Sequence, residues 1–100
     1  MDPIGLSEIK KAAMHLRAID NPLRLKILDA IRENNNRVAV SELYKKMQLV
    51  QSVASGQLAI LRKSLIVTIS REGKFIYYSV NQERIDQILR LSQLLNNSDD

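Results

Sequence analysis

The sequence predicts a mainly α-helical fold of five helices carrying one β-hairpin. Apolar residues recur at helical spacing in five separate segments. The period drops to two in one longer stretch, "LIVTISREGKFIYYSV" (residues 65–80), where two β-rich runs flank "REGK". The length of 100 residues, 45% of them apolar, suits one domain with one core. Trp and Cys are absent and there is a single Phe, so that core must be built from Leu, Ile and Val.

Ser7 is placed to cap the first helix, whose stripe of Ile9, Ala13 and Leu16, with Ala12 and Ile19 beside it, runs to about Ala18. "DNPL" is a stop and a restart. Asn21 caps the second helix, and Pro22 takes the first helical position, where a missing N–H is harmless. Leu23, Ile27, Ala30 and Ile31, with Leu28, form its buried face. The polar "ENNNR" ends it, and "RVAV" is a short extended piece. Ser41 starts a third helix, "SELYKKM", with Leu43 and Met47 inward. "QLV" connects it to a fourth helix over about 51–64, whose Ala54, Leu58, Leu61 and Leu65 are expected in the core. In the hairpin, Gly73 supplies the turn conformation. Val67 and Ile69 share one strand face, and Ile76, Tyr78 and Val80 share a face of the other. A last helix, "QERIDQILRLSQLL", has an unusually wide apolar side through Ile85, Ile88, Leu89, Leu91, Leu94 and Leu95. The domain is expected to span residues 1–95, with "NNSDD" (96–100) a disordered tail.

The net charge is +4. Residues 41–80 hold six cations, Lys45, Lys46, Arg62, Lys63, Arg71 and Lys74, against Glu42 and Glu72, and the rest of the chain is balanced. A localised basic segment suits a polyanion. No apolar run approaches membrane-spanning length, and the first residues lack the pattern of a signal peptide. With no cysteine there is neither a disulfide nor a thiolate metal site, which fits a cytoplasmic protein. Nothing resembles a catalytic carboxylate pair, a Ser/His/Asp set or a phosphate loop, so no enzyme is expected.

The fourth helix is peculiar. In "VQSVASGQLAILRKSL" (50–65), the side expected to be charged and solvated carries Gln51, Ser52, Ser55, Gly56 and Ala59. Gly56 costs the helix about 1 kcal/mol relative to Ala. A helix pair followed by a hairpin is the order of a winged helix-turn-helix, whose second helix enters the major groove. Small side chains there let the backbone approach base edges, and Gln can pair with adenine. No acidic residue sits at the start of this helix, so its free N–H groups can meet a phosphate. The competing explanation is that Gly56 admits another helix of the same domain. Arg71 and Lys74 flank the hairpin tip, suited to a minor groove or phosphate strand.

"AIDNPLRLKILDAI" resembles the opening segment of the ArsR/SmtB family of bacterial repressors. "VSELYKKMQLVQSVASGQLAILRKSLIV" is similar to that family's helix-turn-helix, and "REGKFIYYSV" to its wing. The resemblance spans about residues 16–81. It implies a symmetric homodimer on an inverted-repeat double-stranded DNA operator, paired through the first and last helices. DNA contacts are expected at Ser41, Gln51, Ser52, Ser55, Gly56, Gln57, Ala59, Arg62, Arg71 and Lys74. The dimer interface is expected at Ile9, Ala12, Leu16, Ile88, Leu91 and Leu95. The chain departs from the family pattern at several places. Val50 replaces the usual polar cap of the recognition helix, Gln57 the usual His, and Gln48 and Leu65 two usual glycines. The family's metal-sensing residues are missing as well. There is no Cys, and His15 is the single His, with only Asp86 or Glu83 expected near it, so no metal or other cofactor is expected and any effector is of unknown kind. A protein-interaction module that keeps the scaffold without binding DNA is the alternative.

Overall fold

A computed structural model describes residues 5–97. The elements are α1 (Leu6–Ile19), α2 (Pro22–Glu33), β1 (Val38–Ala39), α3 (Val40–Met47), α4 (Gln51–Lys63), β2 (Val67–Glu72), β3 (Phe75–Val80) and α5 (Gln82–Asn97). The three strands form one antiparallel sheet in the order β1-β3-β2. This is the five-helix arrangement with a hairpin that the sequence predicts.

The core lies where α2, α3, α4 and α5 meet the base of the sheet. Ile27, Leu28, Ile31, Leu43, Leu58, Leu61, Ile66, Val67 and Ile88 are all fully buried. Each such side chain contributes about 1.5–3 kcal/mol by leaving water. The start of α2 follows the sequence logic: Asn21 Oδ1 accepts from the N–H groups of Leu23 at 3.0 Å and Arg24 at 3.1 Å, with Pro22 at the first position.

Several boundaries differ from expectation. Ser7 lies inside α1, whose cap is Gly5, and Ser41 lies inside α3, whose cap is Ala39; neither serine makes a capping bond. α5 runs through Asn97, so Asn96 and Asn97 are helical rather than tail; residues 98–100 lie outside the described residues. Leu65 is 58% exposed and does not join the core. Its φ of +62° reverses the chain at the end of α4. The Leu65 N–H donates to Arg62 O and the Ile66 N–H to Leu61 O, both at 2.9 Å, the paired bonds of a Schellman motif. The reversal turns Leu65 outward and puts Ile66 in the core instead. The end of α3 is built the same way, with Gln48 at φ +54° and Leu49 N–H donating to Tyr44 O at 3.1 Å. The left-handed residues at the ends of α3 and α4 are therefore the two positions where the resemblance leads one to expect glycine.

Candidate nucleic-acid interface

The outer side of α4 is open to solvent. Gln51, Ser52, Ser55, Gly56, Ala59 and Arg62 are all exposed, while Ala54, Leu58 and Leu61 hold the other side against the core. A Cβ placed on Gly56 would meet nothing within 4 Å. Gly56 therefore does not admit another helix of this subunit, and the competing explanation for it is excluded. α4 begins with no acidic residue and no side-chain cap, since Val50 occupies the cap position. Its first N–H groups are left for an external acceptor.

Gln57 departs from expectation. It is half-buried, and its Oε1 accepts from Arg24 Nη1 at 2.9 Å. The same guanidinium donates through Nε to Ala18 O at 2.6 Å and through Nη2 to Arg17 O at 3.0 Å. Arg24 thus satisfies two carbonyls left over at the end of α1 and ties that helix to α4. Gln57 is a tether between helices, and its position turns it away from the bare face.

Ser55 keeps its exposure but has an internal partner, the Tyr44 hydroxyl of α3, at 2.9 Å. This pair stands in a cleft of about 390 Å³ lined by Tyr44, Ser55, Leu58, Ala59, Arg62, Lys63 and Tyr78. The cleft separates α4 from the hairpin.

In the hairpin, β2 and β3 pair from Val67 opposite Val80 to Glu72 opposite Phe75. That leaves the two-residue loop Gly73–Lys74, with Gly73 at φ +61°. Arg71, opposite Ile76, shares the sheet face of Val67, Ile69 and Tyr78. It therefore stands on the α4 side of the hairpin. Glu72, the acidic residue near the tip, is ion-paired to Arg37, whose guanidinium also lies 4.0 Å from the centre of the Tyr77 ring. The bond to Glu72 raises the Arg37 pKa further above its ordinary value. With Glu72 so neutralised, Arg71 and Lys74 have no ion-pair partner among the described residues. Lys74 and Ser41 line a second concavity, with Val40 and Phe75, at the start of α3.

The expected dimer residues divide. Ile88 is only 1% exposed within one subunit and belongs to its core, so it cannot serve an interface. Its place at the α1–α5 crossing explains this: the wide apolar side of α5 is partly used at home. Leu16 and Leu91 are half-buried. Ile9, Ala12 and Leu95 have side chains outside the described residues. Leu89 and Leu94 remain exposed on α5, as does Met14 on α1. His15 lies on α1 facing α5, beside Lys11, Arg84 and Glu8 rather than Glu83 or Asp86. Burial, reinforced by Arg84 and Lys11, lowers its pKa below 6.5. Among the described residues no three His, Cys, Asp or Glu side chains converge, and no helix is long and apolar enough to cross a membrane.

Sequence reasoning missed Tyr44, Lys63 and Arg24. Tyr44 and Lys63 join the cleft only through the packing of α3 and the hairpin around α4, and no local spacing marks them. Arg24 carried the one usable signal, a cation in the first turn of α2, where the helix dipole disfavours it unless something else holds it.

A helix-turn-helix whose second helix has an open face without charge from Gln51 to Ala59, followed by a basic hairpin, defines a winged helix-turn-helix DNA-binding protein. Residues 21–68 match the bacterial regulatory protein arsR family. The transcriptional activator HlyU of Vibrio cholerae is 30% identical over 93 residues, covering 89% of this chain and 84% of HlyU. The chain belongs to the arsR family of transcriptional regulators. Among solved structures, NolR from Sinorhizobium fredii superposes with a TM-score of 0.70 at 34% identity, over 94% of this chain and 96% of NolR. The transcriptional repressor PagR of Bacillus anthracis superposes with a TM-score of 0.69 at 26% identity, over 87% of this chain and 98% of PagR. HlyU and PagR bear the names of transcriptional regulators rather than enzymes, and this chain is a transcriptional regulator of the arsR family.

Proposed function

We propose that this regulator is a cytoplasmic homodimer that binds an inverted-repeat operator in double-stranded DNA and represses transcription, with no metal sensing through cysteine. The observation that carries the reading is the bare outer face of α4, open above Gly56 and free of charge from Gln51 to Ala59. A face without charge that nothing among the described residues covers fits the approach of base edges.

Pairing is supported by the apolar surface left on α5 at Leu89 and Leu94. It is also supported by the subunit's shape, since a radius of gyration of 15.3 Å exceeds the roughly 13 Å of a compact 100-residue domain. Two recognition helices related by a two-fold axis would sit about 34 Å apart, one turn of DNA, and read a palindrome. Repression is supported by the name of PagR and by simple occlusion of polymerase; the HlyU relative bears the name of an activator, so the sign is tested directly.

The experiment is selection of bound duplexes from a random pool, followed by sizing of the complex and a reporter carrying the selected site. We expect an inverted repeat, two subunits per duplex and reduced reporter output. Arg71→Ala with Lys74→Ala should weaken binding to every duplex, whereas Gln51→Ala should relax sequence preference. Recovery of no common sequence, or one subunit per duplex, would overturn the reading.

A further inference from the structure

We propose that the cleft between α4 and the hairpin is a seat for a single backbone phosphodiester of the bound duplex, held by Arg62 and the Tyr44–Ser55 hydroxyl pair. The proposal rests on the DNA-binding reading above and specifies which part of the duplex this cleft takes.

The chemistry of the cleft is one-sided. Arg62 and Lys63 line it, and among the described residues no carboxylate does. Neither cation is ion-paired among the described residues. In the Tyr44–Ser55 pair at 2.9 Å, one hydroxyl proton is spent between the two oxygens and the other stays available. The site therefore offers charged N–H donors and an O–H donor. A phosphodiester is a monoanion whose two free oxygens only accept, so it matches this set, while a base edge presents donors as well. Leu58 and Tyr78, both packed into the core, form the apolar part of the lining. Electrostatic attraction is stronger beside such a surface than in open water. Ala59 leaves room for a strand to enter.

Position agrees with chemistry. The cleft lies between the face that would read bases and the sheet face that carries Arg71. A strand leaving the major groove beside α4 must cross this gap before it reaches the hairpin. The same donor set would also accept free inorganic phosphate, so the test separates the two sources.

The full chain is titrated with the duplex recovered by selection and with a mixed-sequence duplex, across a range of salt. Arg62→Gln should weaken both by the same factor, about tenfold or more. It should make the slope of log affinity against log salt shallower by about 0.9 for each cleft occupied. Tyr44→Phe combined with Ser55→Ala removes both hydroxyls and should weaken both equally without changing the slope. Ethylating one phosphate in each half-site should impair the wild-type protein and make no difference to Arg62→Gln. Wild-type salt dependence that persists in Arg62→Gln, with the ethylation pattern intact, would overturn this assignment and leave DNA binding standing. Absence of salt-dependent binding by the wild type would remove DNA binding itself. Release of the duplex by inorganic phosphate at matched ionic strength, from the wild type but not from Arg62→Gln, would give the cleft to a free anion. If Arg62→Gln fails to fold, the double variant Tyr44→Phe with Ser55→Ala decides alone, with unchanged affinity for both duplexes counting against the seat.

Discussion

Replacing Gly56 with Ala should make the protein more stable and a worse DNA binder at once. Gly in a helix interior is less favourable than Ala by about 0.8–1 kcal/mol, because it has more backbone freedom to lose. An added Cβ meets nothing within 4 Å, so no clash subtracts from that gain. For a domain of this size the gain corresponds to a rise of about 4–8 °C in the thermal midpoint. On DNA the sign reverses. If the helix backbone lies against the base edges, the new methyl is overpacked at each half-site, a cost of about 1–3 kcal/mol. Every 1.4 kcal/mol is about tenfold in affinity. Thermal unfolding followed by calorimetry, and duplex titration at fixed salt, measure the two effects separately. A stabilised variant that binds as tightly as the wild type would refute the close approach. A destabilised variant would mean that the space above Gly56 is filled by a second subunit.

Two further outcomes follow from the backbone and from the one histidine. A non-glycine residue at left-handed φ costs about 1–2 kcal/mol, and Gly gives back about 0.5–1 kcal/mol through its freer unfolded chain. Leu65→Gly should therefore stabilise the protein by up to about 1.5 kcal/mol, read as a midpoint higher by a few degrees; a lower midpoint would show that the exposed Leu65 side chain is packed in the assembled protein. For His15, burial first, then Arg84 and Lys11, hold the folded pKa below 6.5. The unfolded chain then binds more protons as pH falls through 6.5, so this contribution is whole above 6.5 and is lost below it, toward the folded value. His15→Gln should flatten the acid side of the stability profile in that window, and an unchanged slope would show that the imidazole is not the group responsible.

What the sequence made legible was local. Asn21 with Pro22 announces the start of α2, the shift to period two announces the hairpin, and Gly73 announces its turn, because each is decided by the residues themselves. Ser7 and Ser41 misled for the same reason. A serine near a helix start is a good cap in isolation, but the chain entered α1 and α3 two residues earlier, capped at Gly5 and Ala39, leaving both serines inside the helices. Leu65 misled more instructively. At i+11 from Ala54 it continues the buried stripe of α4, yet the helix stops at Lys63 and the chain turns left-handed. Positions 48 and 65, where the resemblance leads one to expect glycine, are left-handed, but the sequence reading draws no conformation from that departure and places Leu65 in the core.

The site was legible on one face and illegible in depth. That α4 has a bare side needs only its own sequence, and the structure leaves that side open. Which of its polar residues are free needs the neighbours. Gln57, a good base reader by type, is spent on Arg24, and Ser55 is shared with Tyr44. Both partners lie outside α4, on α2 and α3, so the inventory of free donors is a tertiary fact. Arg37 acts similarly on the hairpin: it lies before β1, far from the tip in sequence, and by binding Glu72 it leaves the charge near the tip to Arg71 and Lys74. The same three contacts also join the elements that carry this face. Arg24 fixes α4 against α1, Tyr44 fixes it against α3, and Arg37 fixes the hairpin against the loop before β1. On the proposed reading, a duplex would meet elements already joined to one another, which lowers the ordering cost of binding, and Arg24 is the guanidinium that links α1 to α4.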